Sequence, residues 1–76
     1  KAETVSQIQS IGYKELMQVI LTLPPGFRTV FNLYSIEGYS HKEIGEMLGI
    51  SETTSRTQLS RARLWLQKKL NELENV

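Results

Sequence analysis

From Glu52 to its last residue the chain contains neither glycine nor proline, and Leu59, Ala62, Leu66, Leu70 and Leu73 recur there along one helical stripe. This is the longest element the sequence predicts, and the spacing upstream is helical as well, with no strand-like alternation. Leu16, Val19, Ile20 and Leu23 form one apolar face from Tyr13 until Pro24-Pro25 stops it. Pro25 suits the first turn of a second helix, because its missing N–H would be unpaired there in any case. Phe27, Val30, Phe31 and Tyr34 make that helix's stripe, and Gly38 is placed to end it in a left-handed conformation. Ser40, with Glu43 three residues on, forms a capping box for a short third helix, about His41 to Leu48, whose inward positions should be Ile44, Met47 and Leu48.

A chain of 76 residues allows one domain with a compact core. At roughly 0.05–0.15 kcal/mol per residue its stability should total about 4–11 kcal/mol, so a few apolar contacts decide whether it folds. There is no cysteine and a single histidine, which excludes a disulfide framework, a thiolate zinc site and a His-rich metal site. No apolar run approaches the roughly 20 residues of a membrane-spanning helix, and no signal-peptide core opens the sequence. The expectation is a cytoplasmic protein without membrane insertion. Residues 1–12 are polar, with scattered Val5, Ile8 and Ile11, and read as a linker remnant or a frayed helix start; the domain proper is expected at 13–76. A start at Lys1 rather than methionine suggests a piece of something longer.

The net charge of +1 argues little, but its distribution is uneven. Up to Ser55 four cations face six carboxylates, a net of −2, whereas Arg56, Arg61, Arg63, Lys68 and Lys69 face only Glu72 and Glu74, a net of +3. The positive field lies on the long helix. Just before it, Gly49-Ile50-Ser51 has the form of the turn in a helix-turn-helix: Gly49 takes a positive φ cheaply, Ile50 plugs the angle, and Ser51 caps the next helix. Gly45 fits where two helices approach closely. With the leucine stripe inward, about 100° per residue places Thr54, Thr57, Arg61 and Lys68 outward, with Thr53 and Ser60 on one flank and Arg56 nearer the stripe's edge. Arginine can bond guanine bidentately, hydroxyls reach phosphates or base edges, and no carboxylate interrupts Thr53 to Leu70. The reading is an all-α, four-helix domain with a C-terminal helix-turn-helix, no wing elements, and a nucleic-acid-facing helix that opens with favourable backbone donors. An ordinary helical hairpin with solvated charges is the alternative, and the outward face weighs against it.

The segment from Leu23 to Leu70 resembles region four of extracytoplasmic-function (ECF) sigma factors, the promoter-reading C-terminal domain of those bacterial transcription initiation factors. The residues that carry the resemblance are Leu23-Pro24-Pro25, Glu37-Gly38, Glu43-Ile44, Leu48-Gly49-Ile50-Ser51 and Arg61-Ala62-Arg63. It implies that the long helix enters the major groove of the upstream, minus-thirty-five promoter element, with positions Arg56, Thr57, Ser60 and Arg61 matching the family's DNA readers. Arg56 and Arg61 are assigned to base edges, Thr54, Thr57 and Ser60 to bases and phosphates, and Arg63 to the backbone. The implied partners are promoter DNA, the RNA polymerase core through its β-subunit flap, and an anti-sigma factor; no homo-oligomer is required. Thr53 stands where glycine is usual, Ser55 where many members carry an inward valine, and Gln58 where arginine or lysine is common. Ser55 is expected to bond back to a carbonyl of the preceding turn.

Blander readings stand beside these. His41 could touch a phosphate, yet a lone histidine at a helix start reads as a solvated first-turn residue. Glu43 and Glu46 could suggest paired catalytic carboxylates, but Glu43 has a capping task and no pocket-forming segment accompanies them, so no enzyme activity and no cofactor are expected. Leu64 and Trp65 lie off the stripe, covering the core's edge or offering a patch to a partner. Leu59, Leu66 and Leu73 are seven apart over too short a span for a coiled coil. Two rival functions remain: a protein-interaction module docking polymerase or an anti-sigma factor, and a response-regulator-type output domain. The latter normally adds a separate dimerisation helix, which the unbroken run from Glu52 to Leu73 lacks.

Overall fold

A computed structural model describes residues 12–74. The expectation for residues 1–11 lies outside them. Among the described residues four α-helices follow one another, α1 (Tyr13–Leu21), α2 (Pro25–Phe31), α3 (His41–Leu48) and α4 (Glu52–Glu74), with a π-helical turn (Asn32–Ile36) continuing α2. At 1.5 Å per residue α4 is about 35 Å long, which accounts for most of the molecule's 40 Å long axis. The shorter helices α2 and α3 pack along it, with a smaller contribution from α1.

Each break has a local cause. Gly12 is the N-cap of α1, which ends as the Thr22 hydroxyl donates to the Val19 carbonyl (2.6 Å) and the Arg28 guanidinium reaches the Leu21 carbonyl (3.3 Å). Pro24 and Pro25 open α2, and the Arg28 amide closes its first turn on the Pro24 carbonyl at 2.9 Å. The second helix departs from the expected plain α-helix: from Asn32 it widens to i→i+5 bonding, with the Glu37 amide donating to the Asn32 carbonyl at 3.0 Å. Within this wider turn Ser35 is buried and Tyr34 packs against the core's edge. Gly38 then takes φ 85°, and the Ser40–Glu43 capping box is fully formed at 2.9 and 3.1 Å.

The core comprises Val19, Ile20 and Leu23, Val30 and Phe31, Ile44, and Leu59, Ala62 and Leu66. Phe31, Ile44 and Ala62 are completely buried. Two expected core positions are not: Met47 is 46% and Leu48 40% exposed. The contact face of α3 is centred between Ile44 and Gly45, because Gly45 lies against the turn itself, where an added Cβ would stand 2.6 Å from the Ile50 carbonyl oxygen. Met47 is rotated off that face by about 100°, and half-buried Ile50 fills the corner beyond the last turn in place of Leu48. Leu73, at 43% exposure, also leaves the predicted stripe, bordering Glu15, Gln18, Val19 and Thr22 in a shallow depression beside α1. Leu70 remains buried. Trp65 is exposed, tied to the end of α1 by its indole N–H, which donates to the Thr22 hydroxyl at 3.0 Å, and the Lys69 ammonium lies 5.8 Å from its ring centroid. Leu64 projects into solvent.

Gly49 adopts φ 70°, and nothing lies within 4 Å of where a Cβ would be. Gly49→Ala therefore isolates the backbone cost. A loss of about 1–2 kcal/mol is expected from the left-handed conformation alone, measured as a lower urea midpoint with an unchanged slope.

Candidate nucleic-acid interface

The turn from α3 into α4 is built as the sequence suggests. The Gly49 amide closes on the Gly45 carbonyl as part of the left-handed C-cap of α3, and the Ile50 amide donates to the same carbonyl at 3.0 Å. Ser51 caps α4, its Oγ accepting from the Thr54 amide at 3.0 Å. This leaves the first turn of α4 solvent-facing, with free backbone donors near its start.

All six proposed DNA-facing residues, Thr54, Arg56, Thr57, Ser60, Arg61 and Arg63, are exposed, whereas Ser55, Leu59 and Ala62 are buried. The face is thus presented by one rigid helix anchored on its other side. Among the described residues Arg61 and Arg63 form no ion pair, while Arg56 is paired with Glu52 one turn earlier. Glu52 sits just before the carboxylate-free stretch, so the sequence reading missed its effect: Arg56 must leave or share a carboxylate before it can grip a base.

The hydroxyls divide by the bonds they already make. Thr57 Oγ1 donates to the Thr53 carbonyl at 3.1 Å, which spends its proton; as it stands it can accept from a base amino group but cannot donate to a phosphate. Thr54 Oγ1 accepts from the Ser51 hydroxyl at 2.8 Å, leaving its own proton for an outside acceptor. Ser60 makes no side-chain bond among the described residues. Gln58 is half-buried with its amide oxygen turned inward toward Gly26, so it departs from the face rather than extending it.

Ser55 and His41 correct the sequence reading. Ser55 is fully buried, and its Oγ lies 2.9 Å from His41 Nδ1 instead of bonding back to its own helix. His41 is no solvated first-turn residue: its ring stacks on Tyr34 with centroids 4.3 Å apart and planes 12° from parallel. One signal pointed to this. A serine on the inward stripe of α4 needs a partner once buried, and the start of α3 brings one. Burial, and next the Arg56 charge, hold the His41 pKa below its ordinary 6.5; Glu52 opposes this and Arg63 adds to it. Glu43 is held below its ordinary value by the Ser40 backbone N–H and then the Ser40 hydroxyl, as its capping task requires.

The relatives of this chain fit the geometry. A model of the "Sigma-70, region 4" family matches residues 13–66. The chain is similar to the ECF RNA polymerase sigma factor SigW of Bacillus subtilis (strain 168), 43% identical over 58 residues, which are 76% of this chain and 31% of that protein. It is similar as well to the ECF RNA polymerase sigma factor SigE of Mycolicibacterium smegmatis, 40% identical over 53 residues, 70% of this chain and 21% of that protein. The chain therefore spans less than a third of the length of these relatives. No solved structure matches it at the same stringency. Because the match runs from the start of α1 through the turn and well into α4, the chain belongs to the Sigma-70 region 4 family, in the form found in ECF sigma factors.

Proposed function

We propose that this chain is the promoter-reading module of a sigma factor, placing α4 in the major groove of the minus-thirty-five element and so helping to direct RNA polymerase to initiation sites. One observation carries the reading: the exposed face of α4 from Thr53 to Arg63 is free of carboxylates, rich in arginine and hydroxyls, and opens at a capped helix start. Arg56 and Arg61 are the base-edge readers, Arg63 neutralises a phosphate, and Thr54 and Ser60 donate to phosphates or bases. Thr57 is confined to accepting, or to packing its methyl on thymine. The polymerase β flap and an anti-sigma factor are the protein partners this role implies, and a bacterial cytoplasm is its place of action. The response-regulator alternative finds no support in α4, which runs unbroken from Glu52 to Glu74.

The test is chemical-shift mapping of the labelled chain at low salt, first with a randomised duplex library and then with the duplexes it selects. Shifts concentrated from Thr53 to Arg63 are the expected result. A selected duplex that leaves this segment unperturbed removes direct DNA reading and leaves the protein-docking role. With four to six cationic contacts, log K should fall against log salt with a slope near −0.9 per phosphate. Glu52→Gln should bind DNA about two- to fivefold more tightly at low salt, because it releases Arg56 from an exposed ion pair and removes a negative charge from the DNA-facing end. Weaker binding by this variant would show that the pair positions Arg56 rather than competing for it; fluorescence anisotropy decides.

A further inference from the structure

One polar cluster in the helix-turn-helix angle is left unused by the DNA-facing surface. His41 at the start of α3 stacks on Tyr34 of the π turn and meets Ser55 of α4 at 2.9 Å. Ser55 is completely closed to water, and the imidazole is its side-chain hydrogen-bond partner among the described residues. A single ring thus ties together the three elements whose relative orientation aims the recognition helix.

We propose that His41 is a positioning residue for DNA recognition: as a neutral ring it locks the first turns of α4 against α3 and the π turn, so that recognition requires the deprotonated imidazole. The proposal rests on the reading of α4 as the DNA-facing helix, although the lock itself exists without DNA.

Hydrogen-bond counting supports the neutral form. A ring carrying its proton on Nε2 offers Nδ1 as an acceptor, and the Ser55 hydroxyl donates to it, leaving nothing unsatisfied. A protonated ring donates from both nitrogens; the hydroxyl must then accept, and its own proton is left with only the backbone of the preceding turn in a site closed to water. The charges around the ring point the same way. From α4, Arg56 and Arg63 disfavour an imidazolium and Glu52 favours it. Tyr34 is the titratable group on the π turn, and on α3 itself Lys42 is adjacent while Glu43 is engaged by Ser40. The folded chain consequently binds this proton less readily than the unfolded chain, whose histidine titrates near 6.5. The stabilising contribution is fully present above that pH and declines as pH falls below it. Glu43 contributes only at lower pH, around and below its ordinary carboxylate range, and stays clear of this window.

The experiment has two arms. Without DNA, long-range proton–nitrogen spectra follow the imidazole, which is unambiguous because the chain has one histidine. The expected result is the Nε2–H form, a titration midpoint below 6.5, and amide shifts around Ser55 that track it. His41→Asn, which supplies a short acceptor that does not titrate, should abolish that pH response. With a selected duplex, wild-type affinity should fall by up to about fivefold, the size of one lost hydrogen bond, as pH is lowered from about 7.5 to well below the midpoint read in the first arm, while His41→Asn stays flat. His41→Phe keeps the stack on Tyr34 but not the acceptor, and should bind about fivefold more weakly at both pH values. Ser55→Ala should reproduce that loss in a small, helix-favouring background, and Trp65 fluorescence checks that each variant is folded.

An Nδ1–H ring, a midpoint at or above that of a free histidine, or an unchanged pH response in His41→Asn would overturn the lock. Tighter wild-type binding at low pH would also overturn it, assigning His41 to a phosphate instead. Should no duplex perturb α4, the recognition role falls along with the DNA reading, and the DNA-free arm still decides whether the lock exists.

Discussion

Arg61→Ala is expected to leave the fold intact while removing the larger part of sequence discrimination. The side chain is exposed, lies outside any ion pair among the described residues, and sits on a helix held by Leu59, Ala62 and Leu66. Exposed positions of this kind usually change stability by under about 0.5 kcal/mol. A bidentate arginine–guanine contact is worth about 1–3 kcal/mol of discrimination, so the affinity for a selected duplex should drop by about 5- to 150-fold. The salt slope should stay nearly unchanged, because a base-edge contact neutralises no phosphate, whereas a slope shallower by about 0.9 would mark a backbone contact. The pattern across sequences separates the two possible roles. A loss confined to particular base pairs identifies a base reader, whereas a uniform loss over all duplexes would reassign Arg61 to the backbone beside Arg63. Unchanged affinity would remove Arg61 from the interface altogether.

Phe31→Ala should have the largest effect on stability. Phe31 is completely buried at the meeting of α2 with the core residues of α1, α3 and α4. Truncating a buried phenylalanine costs about 3–5 kcal/mol, set against about 4–11 kcal/mol for a domain of this size. The variant should therefore melt about 12–40 °C lower, and in the less stable case be substantially unfolded at physiological temperature. Trp65, the only tryptophan, joins α4 to Thr22 at the exit of α1, so its fluorescence reports the loss directly. Loss of DNA binding in parallel would follow from unfolding and carries no information about the interface. A melting temperature within about 3 °C of wild type would mean that the core closes around the cavity, and that the neighbours of Phe31 are less constrained than their burial implies.

Much of the architecture was legible because its signals are local. Pro24-Pro25, Gly38, Ser40 with Glu43, Gly49 and Ser51 each act through their own or the next turn's backbone groups, and each break lies where those groups demand it. The exposure of the six candidate residues was legible for a related reason: a leucine stripe on an unbroken helix determines which side faces outward. What periodicity could not register was how elements meet at their ends. Met47 and Leu48 are spaced as core residues, but the close approach of Gly45 to the turn moved the contact face away from them. The π-helical widening after Phe31 leaves the stripe pattern nearly unchanged and is visible only in which carbonyl each amide reaches.

The chain's order of residues by itself determined four helices, the turn between the last two, and a basic, hydroxyl-rich outer face, because helix propensity, capping and amphipathic spacing act within a few residues. The tertiary structure alone decided which polar groups on and behind that face are free to act. It turned Gln58 inward and joined His41 to Ser55 across a separation of fourteen residues, whereas the Glu52–Arg56 pair, four residues apart on one helix, is a local contact. Both tertiary outcomes depend on how α4 packs against other helices, facing Gly26 of α2 at Gln58 and His41 of α3 at Ser55, and those packing angles are encoded by no local spacing.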